Sequence, residues 1–260
     1  MKPARPARRP LVSLRQAEIV PGGAGLFLGR LDRAALEAEL EQAGVLAGLA
    51  ARGYPQVVFR SEQQAGEHRL TILPPGRRVC LLELRAAETT YLAHEALLRG
   101  QGIDVLSLLS IHWLMLQDPG AAFSADRPRL PGQRHPGLGL SKRIYDRLEA
   151  WARQWGKDGL LTFPEYYHNA VFYSARFRFL SPEQQGAFEA LRRDLGRVSL
   201  AEASRAVDRR QVRQLGVGAL AWAPGEMVAA TSTPLASYLD SAEYRRRARA
   251  RCAAVEFRLG

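Results

Sequence analysis

The chain is short of the residues that most often carry metal or thiol chemistry. Only two cysteines, Cys80 and Cys252, occur among its 260 residues. Two cannot build a disulfide framework or a cysteine-ligated zinc site. Cys80 stands in an apolar run and reads as a core filler rather than a nucleophile. The histidines His68, His94, His112, His135 and His168 are scattered without metal-ligand spacing. No serine lies in a nucleophile-elbow sequence. No stretch approaches the roughly 20 apolar residues of a membrane span. The basic segment Met1–Pro10 lacks the apolar core of a secretory signal, so a cytoplasmic protein with no membrane partner is expected. No internal repeat is visible.

Positive charge and arginine are plentiful instead. The formal net charge is +11 and the isoelectric point is near 10.3, a balance that favours anionic partners such as nucleic acid or phosphate-bearing small molecules. A hydrophobic share of 47% and a charged share of 24% are ordinary for a folded domain. The length suits one large domain with an extension. Residues 1–20, where proline, alanine and arginine alternate at the start, read as a disordered basic arm. Residues 21–196 read as the main domain and 197–260 as a C-terminal extension.

Periodicity supplies the elements. One or two amphipathic helices are expected over 31–51, starting near Asp32 and broken around Gly44. Val57–Arg60, His68–Leu73 and Val79–Leu84 read as strands, the last two as a hairpin across Pro74-Pro75-Gly76. The segment 88–100 reads equally as a short helix or a loop. Val105–Leu116 is the longest apolar run and reads as a central strand buried on both faces. A proline-rich loop over 117–136 follows. Leu140, Ile144, Leu148, Trp151 and Trp155 then form one helical stripe. Leu160–Phe163 reads as a strand, Glu165–Ala175 as a helix, Arg176–Leu180 as a strand, and Ser181–Arg193 as a helix capped by its serine. Beyond these, Ala201–Leu215 reads as a helix and Ala219–Trp222 and Met227–Ala230 as short strands.

The run Gln133-Arg134-His135-Pro136-Gly137-Leu138-Gly139-Leu140 heads the amphipathic stripe. A glycine turn at a helix start leaves amides pointing outward without an internal partner. Those amides and the positive end of the helix dipole suit a phosphate or pyrophosphate, which glycine lets approach closely. No Gly-Lys-Ser/Thr follows this turn and no third glycine is suitably placed, so neither a P-loop nor a dinucleotide fingerprint fits.

The order strand, glycine turn, helix, strand, then a helix bearing an asparagine and a tyrosine resembles the GNAT superfamily of N-acetyltransferases, which transfer an acetyl group from acetyl-CoA to an amine. The family's phosphate loop, Gln/Arg-x-x-Gly-x-Gly/Ala, is matched at each defined position by Arg134-His135-Pro136-Gly137-Leu138-Gly139. The later segment from Tyr166 to Phe179 is similar to the family's Asn-Ala, aromatic-Tyr and closing Gly-Phe signature. Here Asn169 lies closer to the tyrosine than usual, Arg178 stands where a glycine is usual, and the 117–132 loop is longer than the family's link. The resemblance covers about residues 55–180. It implies an α/β fold: a mixed, mainly antiparallel sheet, split where the cofactor enters and flanked by helices on both faces. It assigns acetyl-CoA to Arg134, His135, Pro136, Gly137, Leu138, Gly139, Leu140, Ser141 and Lys142. Leu114 and Leu116 of the preceding strand would lie along the pantetheine arm, Tyr173 would lie near the sulfur, and Asn169 would also contact the cofactor.

Amine acylation needs a neutral amine, a polarised carbonyl and a protonated leaving thiolate. Tyr173 is the expected general acid. His112, because histidine is the side chain suited to proton exchange near neutral pH, and Glu83 are the candidate bases. Tyr166, Tyr167 and His168 either line the acceptor pocket or cover the sheet edge. The acceptor is an amine-bearing small molecule or a protein, and the extension either packs on the domain or mediates a homodimer. Two other readings stay open. One is a GNAT-like module that binds CoA or another nucleotide without chemistry. The other is a nucleic-acid-associated protein using Met1–Pro10 and the arginines of Tyr244–Arg251, which occupy all sides of a helix.

Overall fold

The computed structural model describes residues 17–19 and 26–260. The Met1–Pro10 segment therefore lies outside the described residues. Within the 1–20 segment, β1 (Ala17–Ile19) pairs with β4. The first helices form where the capping chemistry places them. Asp32 accepts the Ala35 amide at 2.8 Å to start α1 (Arg33–Gln42), and a left-handed Gly44 separates it from α2 (Val45–Ala50).

Strands β2 (Val58–Gln64), β3 (Glu67–Leu73) and β4 (Leu82–Leu92) follow, then α3 (Ala96–Gly100) and β5 (Val105–Leu116). After a long connection come α4 (Ser141–Gln154), β6 (Gly159–Thr162), α5 (Tyr167–Tyr173), β7 (Arg178–Phe179) and α6 (Pro182–Asp194). The chain ends with α7 (Leu200–Asp208), β8 (Val212–Gln214), β9 (Gly218–Ala219), β10 (Met227–Ala230), α8 (Thr233–Leu239), α9 (Ala242–Ala254) and β11 (Phe257–Leu259).

Eight strands make one mixed sheet in the order β2-β3-β4-β5-β6-β10-β7, with β1 on the outer half of β4. Only the β5–β6 step is parallel; the other pairings of this sheet are antiparallel. Parallel neighbours need a crossover, and α4 supplies it. The segment 197–260 thus contributes β10 to the main sheet, between β6 and β7, and a second small sheet in the order β11-β8-β9.

Apolar side chains pack on both faces of the main sheet, on the second only around β5, β6, β10 and the end of β4. On one face, Leu36 and Leu40 of α1, Val45 and Leu49 of α2, and Ile144, Leu148 and Trp151 of α4 pack against Leu70, Leu82, Leu84, Leu109 and Ile111. On the other, Leu98 of α3, Leu235 and Tyr238 of α8 and Tyr244 of α9 pack against Leu106, Leu108, Leu161 and Val228.

Several elements depart from the sequence expectation. The expected strand at Val79–Leu84 begins at Leu82 and runs on to Leu92, taking up residues 88–92 of the ambiguous 88–100 segment, whose end forms the short helix α3. Full-length pairing with β5 holds it, and a buried Thr89–Ser110 hydrogen bond of 2.7 Å ties the two strands. The expected helix Ala201–Leu215 stops at Asp208, because Arg210 adopts a positive φ of 58° and Val212 pairs with Leu259. Strand β5 has the expected bounds, but it is buried on both faces only over its middle, and Trp113 beyond it is 40% exposed.

Candidate functional site

The sheet opens at one point. Strands β5 and β6 pair from Leu108–Gly159 to Ile111–Thr162, where the Thr162 hydroxyl donates to the Ile111 carbonyl at 3.3 Å. Pro164 has no amide to extend that ladder, and the chain turns into α5. Among the described residues, β5 continues to Leu116 paired with β4 alone, so the main chain of 112–116 presents a free edge toward the gap. Leu114 and Leu116 lie there, half-buried.

The long connection closes on itself at this end of β5. The Asp118 amide donates to the Pro136 carbonyl at 2.7 Å, and the Asp118 carboxylate accepts the Tyr54 hydroxyl at 2.7 Å and the Gly120 amide at 3.0 Å. Residues 119–135 are therefore an excursion with joined ends, and the glycine turn follows the strand directly in space. A Cβ on Gly137 would sit 3.6 Å from the Leu116 carbonyl oxygen. Arg127 donates to the Gly137 carbonyl at 2.5 Å, and Arg129 to that of Gln133 at 2.8 Å.

Leu138 and Leu140 are buried and anchor the turn; a Cβ on Gly48 of α2 would collide with Leu140 Cδ2 at 2.5 Å. Gly139 between them has φ +68°, so α4 begins at Ser141. Among the described residues, nothing accepts the amides from Leu138 to Arg143. The first helical bond is Ile144 to the Leu140 carbonyl at 3.2 Å. Arg52, at the end of α2, brings a guanidinium nitrogen within 3.3 Å of the Gly139 Cβ position while donating to the Gly48 carbonyl at 2.7 Å. Arg134 is exposed, His135 is half-buried, and the buried Pro136 joins the turn to Asp118. Lys142 is exposed and pairs with Asp146, and Arg143 donates to the Gly44 carbonyl. The open amides and neighbouring basic side chains at this helix start can hold an anion.

Tyr173 ends α5 on the α4 face of the sheet. Its ring meets Tyr145 edge-on at 5.6 Å and Phe177 at 5.8 Å. Burial raises its phenol pKa, against the opposing influence of the Tyr145 and Asn169 side chains, so the phenol keeps its proton at neutral pH. The aromatic segment before it is divided. Tyr167 is core, against Phe188 and Trp222. Tyr166 closes on Gly132 of the connection, and its ring stacks on that of His168 at 5.4 Å. Burial pushes the His168 imidazole pKa down to about 4.

The candidate bases stand on the opposite face. Glu83 alternates with Leu82 and Leu84 of the α1–α2–α4 core, so it faces away from Tyr173. Its carboxylate is taken up by Arg69 at 3.0 Å and Arg85 at 2.6 Å, which leaves it little freedom to act as a base. The His112 side chain is 5% exposed, and its Nδ1 lies 2.7 Å from the Glu67 carboxylate. Cys80 is half-buried and free, and burial raises its thiol pKa, as befits an unreactive position. Arg52, Glu67 and Tyr145 were not indicated by the sequence, because each reaches its partner through folding rather than local spacing.

Elsewhere, Arg246 and Arg247 of α9 are bound by Glu243, whose pKa they hold down to about 2, while Arg245, Arg249 and Arg251 are exposed. Among the described residues, no His/Cys/Asp/Glu group could hold a metal, and no helix is long and apolar enough to cross a membrane. Compared with protein-family models and with curated protein sequences, the chain matches none.

Proposed function

We propose that this protein is a GNAT-like acyltransferase that moves an acetyl group from acetyl-CoA to an amine. One observation carries the reading: the free edge of β5 leads from the sheet opening directly to the unpartnered amides of Leu138–Arg143. A pyrophosphate carries the charge those amides and Arg52 lack, and the residues present fit it. Gly137 to Lys142 would hold the pyrophosphate, and the β5 edge at Leu114 and Leu116 would hold the amide-bearing arm. When bound, acetyl-CoA supplies an activated acyl group on sulfur.

The chain's own residues divide the remaining work. Tyr173 carries a proton at neutral pH and serves as the acid for the departing sulfur. His112 serves as the base, because its second ring nitrogen is uncommitted whereas Glu83 is held by two guanidiniums. Acid and base lie on opposite faces of the sheet, and the β5–β6 pairing ends at Ile111–Thr162, next to His112. The test is CoA thiol release from acetyl-CoA in the presence of the twenty amino acids, spermidine and a lysine-containing peptide. Amine-dependent release supports the reading. CoA binding without release from any of these assigns a binding module instead.

A further inference from the structure

Strand β5 carries one residue more than β4 can pair. Arg85 is opposite Trp113 and the next residue, Ala86, is opposite Ile111, which leaves His112 as the extra residue of a β-bulge. A bulge redirects a side chain and is frequent beside active sites. This bulge falls one residue past the last β5–β6 pair, at the fork of the sheet. It turns His112 onto the face of Glu67, Arg69, Glu83 and Arg85, away from the apolar core beneath α4.

Resting on the transferase reading above, we infer that Glu67 and His112 form a proton-accepting dyad in which Glu67 is the positioning residue. A carboxylate can only accept, so the 2.7 Å contact places the imidazole proton on Nδ1. The lone pair is then on Nε2, which is buried and has no partner among the described residues. His68 and His168 each also carry one buried nitrogen without a partner among the described residues; His112 differs from them in the carboxylate on its other nitrogen and in its place on the bulge, one residue past the last β5–β6 pair. The charged groups sharing the face are Arg60 and Glu62 from β2, Glu67 and Arg69 from β3, and Glu83 and Arg85 from β4, with Glu62 3.7 Å from Arg69. Arg69 and Arg85 are drawn to Glu83, so Glu67 alone is bonded to the imidazole.

In the reaction the amine nitrogen bonds to the acyl carbon as the carbon–sulfur bond breaks. The amine proton passes to Nε2, directly or through one water, and Glu67 balances the imidazolium. The sulfur leaves with its electron pair and takes a proton from Tyr173. One amine and one thioester give one amide and one thiol. His112 then returns its proton to solvent, and Tyr173 regains one.

The test uses the full chain labelled with nitrogen-15 and two-bond proton–nitrogen spectra of the imidazoles, with His112 assigned by His112→Asn. His112 should be protonated at Nδ1 in the wild type. Glu67→Ala should release it to the Nε2-protonated form, and Glu67→Gln, which keeps an acceptor oxygen, should retain the wild-type form. In the acetyl-CoA assay, Glu67→Ala should lower kcat at least about tenfold with the KM for acetyl-CoA unchanged, and Glu67→Gln should recover part of the loss. An Nε2-protonated wild type, or acetyl transfer by Glu67→Ala at the wild-type kcat, overturns the dyad alone. No acetyl transfer by the wild type rejects the transferase reading and the dyad's role with it.

Discussion

His168 makes folding sensitive to acid in a way that can be worked through. Its side chain is buried at the start of α5, stacked on Tyr166 and edge-on to Phe172, with Nδ1 unpartnered among the described residues. Burial holds its pKa at about 4 in the folded state, against 6.5 in an open chain. Below pH 6.5 the unfolded chain gains a proton that the folded protein refuses, so stability falls as the pH drops toward 4. One pKa unit is about 1.36 kcal/mol, and integrating between pH 7.5 and 4.5 gives a loss of about 2.5 kcal/mol from this residue. His168→Phe keeps a ring in the site and removes the titrating nitrogens. Urea unfolding of both proteins at the two pH values measures the difference. Whatever the variant's stability at pH 7.5, its loss on going to pH 4.5 should be smaller than the wild type's by about 2.5 kcal/mol. Equal losses would refute the claim that His168 is buried uncharged.

Three other outcomes bear on the site. Gly139→Asp should weaken CoA binding at least about 100-fold, since it places a carboxylate on Arg52 and the anion turn and strains a residue at φ +68°; calorimetry with CoA checks it. Arg52→Ala should weaken CoA binding about tenfold, and by less at high salt, because an exposed guanidinium is screened; titrations at two ionic strengths decide it. Tyr173→Phe should lower kcat about 100-fold while leaving CoA affinity within about twofold of the wild type, and wild-type turnover in steady-state assays would remove its role as acid.

The parts of the fold written in local chemistry were legible. Asp32 and Ser181 cap the helices expected of them, Gly44 breaks the first helical segment, and Val105–Leu116 and Met227–Ala230 form strands with the expected bounds. What escaped depends on distant pairing. The outer half of β4 is built from Ala86, Ala87, Thr89 and Thr90, residues without a strong alternating pattern, and is held by its partners β1 and β5. Met227–Ala230 reads as a strand, but nothing in four apolar residues tells that β6 and β7 flank it.

The candidate site divides in the same way. The glycine turn and the Asn169–Tyr173 segment are contiguous motifs and could be read directly. The 117–136 connection looked like an interruption between strand and turn until the Asp118–Pro136 bond joined its ends. The His112–Glu67 pair depends on a one-residue bulge, and a bulge leaves no mark in hydrophobic periodicity.

The account turns on whether the amides at the start of α4 bind the diphosphate of coenzyme A. The most direct measurement is the melting temperature of the full chain with acetyl-CoA, free CoA or NAD at equal concentration. At 100 times Kd, binding adds about 2.7 kcal/mol, which for a chain of this size is a rise of roughly 5–10 °C. Acetyl-CoA and CoA should both produce that rise in the wild type, NAD should not, and Gly139→Asp should abolish it. No shift with either CoA species, or an equal shift in Gly139→Asp, would contradict the claim.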